Sequence, residues 1–185
     1  MHPDPVESAL VVRVPEAEVL VASWRRSLDP SAAWGVPAHI TLLYPFVAPA
    51  SLDTEVLSRV EAALSSFDPF RFTLAAARTF GDDVLYLEPH PADPFRRLTE
   101  LLADAFPSQP PYGGAFEEIV PHLTVAYQAP PAEMRLARSA VEQGLPVVCM
   151  ATEVALLTGS PAPGAWRVAA TFGLGRRARG TSARG

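Results

Sequence analysis

The stretch PAHITLLYPF (37–46) is echoed at 121–127 by PHLTVAY. Each copy sets a His two residues before a Thr, after a proline and inside an apolar run, with a Tyr five residues past the His. The two histidines, His39 and His122, stand 83 residues apart in a chain of 185. A short pattern repeated at nearly half the chain length points to two similar halves. The elements around it repeat as well. The first half reads strand (8–14), helix (15–29), His-x-Thr strand (39–46), helix (51–67, with Ser51 as its N-cap) and strand (70–80). The second reads strand (84–89), helix (91–106, capped by Asp93), His-x-Thr strand (122–128), helix (131–144, stopped by Gly144) and a closing strand (146–159), with one more strand at 165–175. The expected fold is α+β and bilobal: two pseudo-symmetric lobes, each with an antiparallel sheet and helices, around a cleft. The expected domain is 1–175, its duplication boundary near the GDD turn at 81–83. Residues 176–185, rich in Arg, Gly and Ser, read as a disordered tail.

Alternation along a strand sorts the motif residues. His39, Thr41 and Leu43 share one face, and Ile40, Leu42, Tyr44 and Phe46 the other. His122 and Thr124 share a face, and Leu123, Val125 and Tyr127 the opposite one. On this reading the His–Thr faces line the cleft, and both tyrosines belong to the core. Two imidazoles and two hydroxyls form a set suited to phosphate transfer. One His serves as base and the other as acid. Each Thr donates to a non-bridging phosphate oxygen. No metal is required, because a cyclic phosphodiester is strained and its leaving oxygen stays on the sugar. With four His in the chain, chance supplies only roughly 0.2 such His-x-Thr pairs.

Composition narrows the partner. The net charge is −5, all 15 cations are Arg, and nearly half the residues are hydrophobic. An acidic chain lacks the broad basic surface of a non-specific nucleic-acid binder. The ligand is therefore expected to be small or a chain end. One cysteine, Cys149, allows no internal disulfide and reads as a buried strand residue. No segment is long and apolar enough to span a membrane. A monomeric cytoplasmic protein without cofactor is the expectation. Trp34, Tyr112 and Phe116, in the loops leading to the motifs, are candidates to stack on a base. The loop PSQPPYGG reads as a lid or a stiff cover. Arg167, on the last strand opposite Trp166, Val168 and Phe172, is a candidate to reach the cleft. Glu88, His90 and Asp93 sit in a Pro-rich turn and are not read as a metal site.

The two motifs, HITLLYPF and PHLTVAY, resemble the paired His-x-Thr signatures of the 2H phosphoesterase superfamily, which includes 2′-5′ RNA ligase-like proteins and cyclic nucleotide phosphodiesterases. The resemblance covers residues 8–175. It implies metal-independent hydrolysis of 2′,3′-cyclic phosphates on nucleotides or RNA ends. Carried over residue by residue, it makes His39, Thr41, His122 and Thr124 the catalytic set, with His122 activating water and His39 protonating the leaving oxygen. The bacterial RNA-ligase branch ends its second motif with an Arg five residues after the His. Here that position is Tyr127, which removes a phosphate or RNA contact and argues against ligation. The competing readings are a 2′-5′ RNA ligase and a non-catalytic nucleotide- or phosphate-binding module.

Overall fold

A computed structural model of the chain describes residues 4–115 and 119–175. In chain order the elements are β1 (Glu7–Arg13), α1 (Glu18–Leu28), α2 (Pro30–Ala33), β2 (His39–Leu43), α3 (Thr54–Leu64), β3 (Phe70–Phe80), β4 (Val84–His90), α4 (Asp93–Ala105), β5 (Leu123–Tyr127), α5 (Pro131–Gln143), β6 (Val147–Ala151), β7 (Glu153–Gly159) and β8 (Arg167–Gly173). The strands form two four-stranded sheets, ordered β2-β1-β7-β8 and β5-β4-β3-β6. All six strand pairings are antiparallel. The expected α+β architecture with two antiparallel sheets is what the chain forms.

The halves interlock more deeply than a simple tandem repeat. β3 belongs by sequence to the first half, yet it pairs with β4 through the turn at 81–83, where Gly81 has φ +52°. A two- or three-residue turn leaves consecutive strands no choice but to be neighbours. The run 146–159, expected as one strand, is two. β6 ends at Ala151 and pairs with β3, while β7 starts at Glu153 and pairs with β1 and β8. Thr152 is thus the point where the chain passes from one sheet to the other. The helices cross over too: α1 packs on β5, and α4 on β2. One contiguous core results. Leu10, Ile40, Phe72, Leu87, Phe95, Leu98 and Leu123 are all almost fully buried within it, each contributing about 1.5–3 kcal/mol by leaving water.

Two helix starts differ from expectation. Ser51 ends a short 3₁₀ turn, and the cap of α3 is Asp53, whose carboxylate accepts from the Val56 N–H at 2.9 Å. Asp93 is the first residue of α4 rather than its cap, and pairs with Arg96 at 3.2 Å. Before α3 both Ser51 and Asp53 are eligible caps, whereas α4 starts at Asp93 itself with Ala92 in the cap position; the path of the incoming chain decides each start. Cys149 is buried on β6 as read, and burial pushes its thiol up to about 11. Among the described residues no helix is long and apolar enough to cross a membrane, and no group of three His, Cys, Asp or Glu is placed to hold a metal ion.

Candidate active site

β2 and β5 are the edge strands of their sheets, and they lie against each other. The two motifs are therefore brought to a single seam. In each motif strand one residue is unmatched. Val11 faces Thr41 and Leu10 faces Leu43, which leaves Leu42 without a partner on β1. Tyr86 faces Thr124 and Leu85 faces Ala126, which leaves Val125 without a partner on β4. These are β-bulges at the same place in both copies, directly after the motif Thr. An extra residue shifts the alternation by one. Leu42 and Leu43 are both buried, as are Val125 and Ala126. The residue five past each His then returns to the His–Thr face.

Tyr44 and Tyr127 are consequently cleft residues, not the core residues that regular alternation predicts. Tyr127 is 47% exposed. The Tyr44 hydroxyl donates to Glu7 Oε2 at 3.1 Å, and burial together with that carboxylate holds its pKa above the usual range. Both tyrosines line a cleft of about 400 Å³ together with His39, Thr41 and Thr124. Its floor is the outer face of the first sheet, where Ala9, Val11, Ala155 and Leu157 form a small apolar cluster with Val36 and Trp166. Trp34 lines the cleft as well, while Tyr112 meets it through Thr41. The Tyr112 N–H donates to the Tyr44 carbonyl at 2.6 Å, and its side chain hydrogen-bonds Thr41. The loop 107–114 is pinned at that point to the end of β2. Tyr112 sits at φ +51°, a left-handed conformation few non-glycine residues adopt. Phe116 and the tail 176–185 lie outside the described residues.

Arg167 does not reach the cleft. It is exposed on β8, the far edge of the first sheet from β2. Its neighbour Trp166, just before the strand, is the cleft residue instead, although sequence periodicity marks it as merely apolar. It is seated because β7 ends in Gly159: a Cβ there would stand 2.4 Å from the indole Cγ. The backbone holds this corner too, through Trp166 N–H to Trp34 carbonyl at 2.8 Å.

The two histidines are held alike. His39 Nδ1 lies 2.8 Å from the Pro37 carbonyl and His122 Nδ1 2.7 Å from the Val120 carbonyl. In each, Nδ1–H donates to the carbonyl two residues back, so Nε2 is the nitrogen left for chemistry. Ala38, just before His39, is fixed by its N–H donating to Glu18 Oε1 at 2.7 Å. The His122 ring packs edge-on to Phe80 at 5.1 Å and against Tyr86 at 5.6 Å. It is not among the residues lining the 400 Å³ volume, but it adjoins it through Thr124 and is near enough for its charge to act on His39.

Sequence reading missed the charged pair behind His39. Arg25 and Asp29 are 2% and 5% exposed. Asp29 Oδ2 accepts from Arg25 Nε at 3.1 Å and Nη2 at 3.0 Å, and Arg25 Nη1 donates to the Val36 carbonyl at 3.2 Å. Ser31 adds its hydroxyl to Asp29 at 2.9 Å, and both line the cleft. The only signal in the sequence is an i,i+4 pair at the end of a helix, a pattern most often found on solvated faces. Burial, then the Arg25 charge, drives His39 down from 6.5 to about 4; His122 opposes protonation as well, while the Pro37 bond and Asp29 act the other way. His122 is also lowered, chiefly by burial, against the upward pull of its Val120 bond.

Two edge strands bring the matched His-x-Thr motifs to one seam, the arrangement of the two-histidine phosphoesterase class. The chain belongs to the 2′-5′ RNA ligase superfamily, whose family model matches residues 13–161. Solved structures agree on the fold. TT0787 of Thermus thermophilus superposes with a TM-score of 0.64 at 20% identity, over 91% of this chain and 98% of that one. E. coli LigT in apo form gives 0.61 at 19% identity, over 93% and 99%, and LigT complexed with 3′-AMP gives 0.57 at 19% over the same shares. No curated protein matches the chain.

Proposed function

We propose that the protein is a metal-independent phosphodiesterase that opens 2′,3′-cyclic phosphates on nucleotides or RNA ends. The observation that carries this reading is the matched pair of histidines, each with Nδ1 tied to the carbonyl two residues back and Nε2 free, beside two threonines on adjoining edge strands. The apolar floor with Trp34 and Trp166 suits the flat face of a nucleobase. Thr41 and Thr124 donate to the non-bridging oxygens as charge builds there.

The surroundings of the two rings favour one assignment of their roles. His39 sits beside the Arg25 guanidinium and is the harder ring to protonate. It starts neutral and takes the proton from the attacking water. His122 faces no such cation and carries the proton to the departing ribose oxygen. This reverses the roles that the resemblance implies.

The test is turnover of a panel of 2′,3′-cyclic mononucleotides and cyclic-phosphate-ended oligonucleotides in excess chelator. Opening of at least one substrate at an undiminished rate is the expected result. Loss of activity in chelator, restored by a divalent ion, overturns it.

A further inference from the structure

α1 packs on β5, and its last turn comes to lie beside the end of the second motif strand. Two adjacent arginines stand in that turn. Successive residues point about 100° apart around a helix, so the two diverge. Arg25 turns inward and is closed on Asp29. Arg26 is exposed, and its guanidinium makes no ion pair or hydrogen bond among the described residues. It lines a groove of about 360 Å³ with Tyr127, Gln128 and Glu133. Groove and cleft share Asp29, Pro30 and Tyr127 among their lining residues, so these form part of the wall between two adjoining spaces. The Gln128 N–H donates to the Asp83 carbonyl at 2.6 Å, which fixes the backbone there. The side-chain amide of Gln128, like the Arg26 guanidinium, has no hydrogen-bond partner among the described residues. The carboxylates of the groove do not cancel Arg26. Asp29 is engaged by Arg25, and Glu133 lies in the first turn of α5, where the unpaired N–H groups of the helix offset its charge.

We propose that this groove is a second phosphate subsite, with Arg26 as its cation, for a phosphate one ribose away from the one that the histidines act on. The inference rests on the phosphodiesterase reading for that first phosphate. A cleft of about 400 Å³ is near the low end of the range for ligand pockets, about 300–1,000 Å³, and suits one nucleotide. Its apolar floor lies on the first sheet, whereas the groove lies past Tyr127 on the β5 side and is polar. With the base on the floor and the cyclic phosphate at the seam, the substituent of the ribose left to extend beyond the cleft is the one on its 5′ carbon. In an RNA end that substituent is a phosphodiester, and in a small nucleotide it is a phosphate. Both present non-bridging oxygens, which the fork of a guanidinium matches with two parallel hydrogen bonds. An unpaired arginine on an open surface marks nothing by itself; Arg26 lines a groove that adjoins the cleft.

The test compares three substrates on the full chain: a nucleoside 2′,3′-cyclic phosphate, the same compound with a 5′-phosphate, and a dinucleotide ending in the same cyclic phosphate. The second phosphate is expected to raise kcat/KM about threefold to tenfold, the scale of a bidentate but exposed ion pair. R26Q is expected to bring that ratio to about one, and a ratio of two substrates cancels any loss of folded protein. A larger gain for the dinucleotide than for the 5′-phosphate names an RNA end as the ligand, and the reverse order names a small nucleotide. A ratio near one in the wild type overturns the subsite, and a gain that survives R26Q overturns the role of Arg26. Calorimetry with a 2′-deoxynucleoside 3′-phosphate and the corresponding 3′,5′-bisphosphate, neither of which is turned over, asks the same question without chemistry. Tighter binding of the bisphosphate by the wild type and not by R26Q, with no cyclic phosphate opened, overturns the enzymatic reading alone. Failure to bind either ligand overturns both.

Discussion

Leu42 and Val125 hold equivalent places in the two motif strands: each is the unmatched residue directly after the motif Thr, and each turns the following Tyr into the cleft. Tyr44 and Tyr127 should therefore report on ligand, and the bulged residues on stability. Tyr127→Ala is expected to change stability by no more than about 0.5 kcal/mol while weakening ligand binding. Leu42→Ala, at a fully buried site, is expected to cost about 2–5 kcal/mol. Denaturant melts alongside calorimetry check both. A Tyr127→Ala protein as destabilised as Leu42→Ala would return that ring to the core.

The two-histidine assignment can be separated by leaving group. On cyclic phosphates, His39→Ala and His122→Ala are each expected to lose roughly 10²–10⁴ in rate. On bis(p-nitrophenyl) phosphate, whose leaving group needs no proton, His122→Ala should lose much less, whereas His39→Ala should lose as much as before. The opposite pattern would restore His122 as the base.

The pH dependence has a definite sign. A base held near 4 must be neutral, and an acid lowered below 6.5 must be protonated. The profile of kcat/KM is expected to be a bell lying on the acid side of neutrality. Stability follows the same groups. Both rings bind protons more weakly folded than unfolded, so their contribution is complete above about 6.5 and is lost as pH falls toward about 4. The His39 share is at most about 3 kcal/mol. His39→Gln should flatten that part of the stability curve; a curve of unchanged slope would assign the loss elsewhere.

Asp29→Asn leaves Arg25 buried with a neutral partner and is expected to destabilise by about 3–5 kcal/mol. Replacing both together, Arg25→Met with Asp29→Leu, is expected to recover much of that loss. It should also raise the His39 pKa by removing the neighbouring cation, which nuclear magnetic resonance titration of the ring reads directly.

Gly159→Ala places a methyl where the Trp166 indole stands, 2.4 Å from Cγ and 2.7 Å from its backbone Cα. Backbone on one side leaves little room to yield. The expected cost is about 1–3 kcal/mol, with a changed Trp fluorescence and weakened ligand binding. A variant that binds as the wild type does would show that Trp166 is not part of the floor.

The repeated His-x-Thr with its repeated element order was sufficient, by itself, for the fold class and for the motif residues brought to the seam. Those features depend on local periodicity and on a pattern written twice. Three things were settled only in three dimensions. The bulges at Leu42 and Val125 overturn strict alternation, because a one-residue insertion in a ladder is a property of two strands and neither alone records it. Arg25 and Asp29 show in the sequence only an i,i+4 spacing and form a buried pair behind His39, because burial depends on what packs over them. Trp166 replaces Arg167 at the cleft because the path into β8, and the missing side chain at Gly159 on the end of β7, decide which of two neighbours turns inward. In each case the deciding contact joins residues that local pattern does not link, so period and propensity carry no information about it.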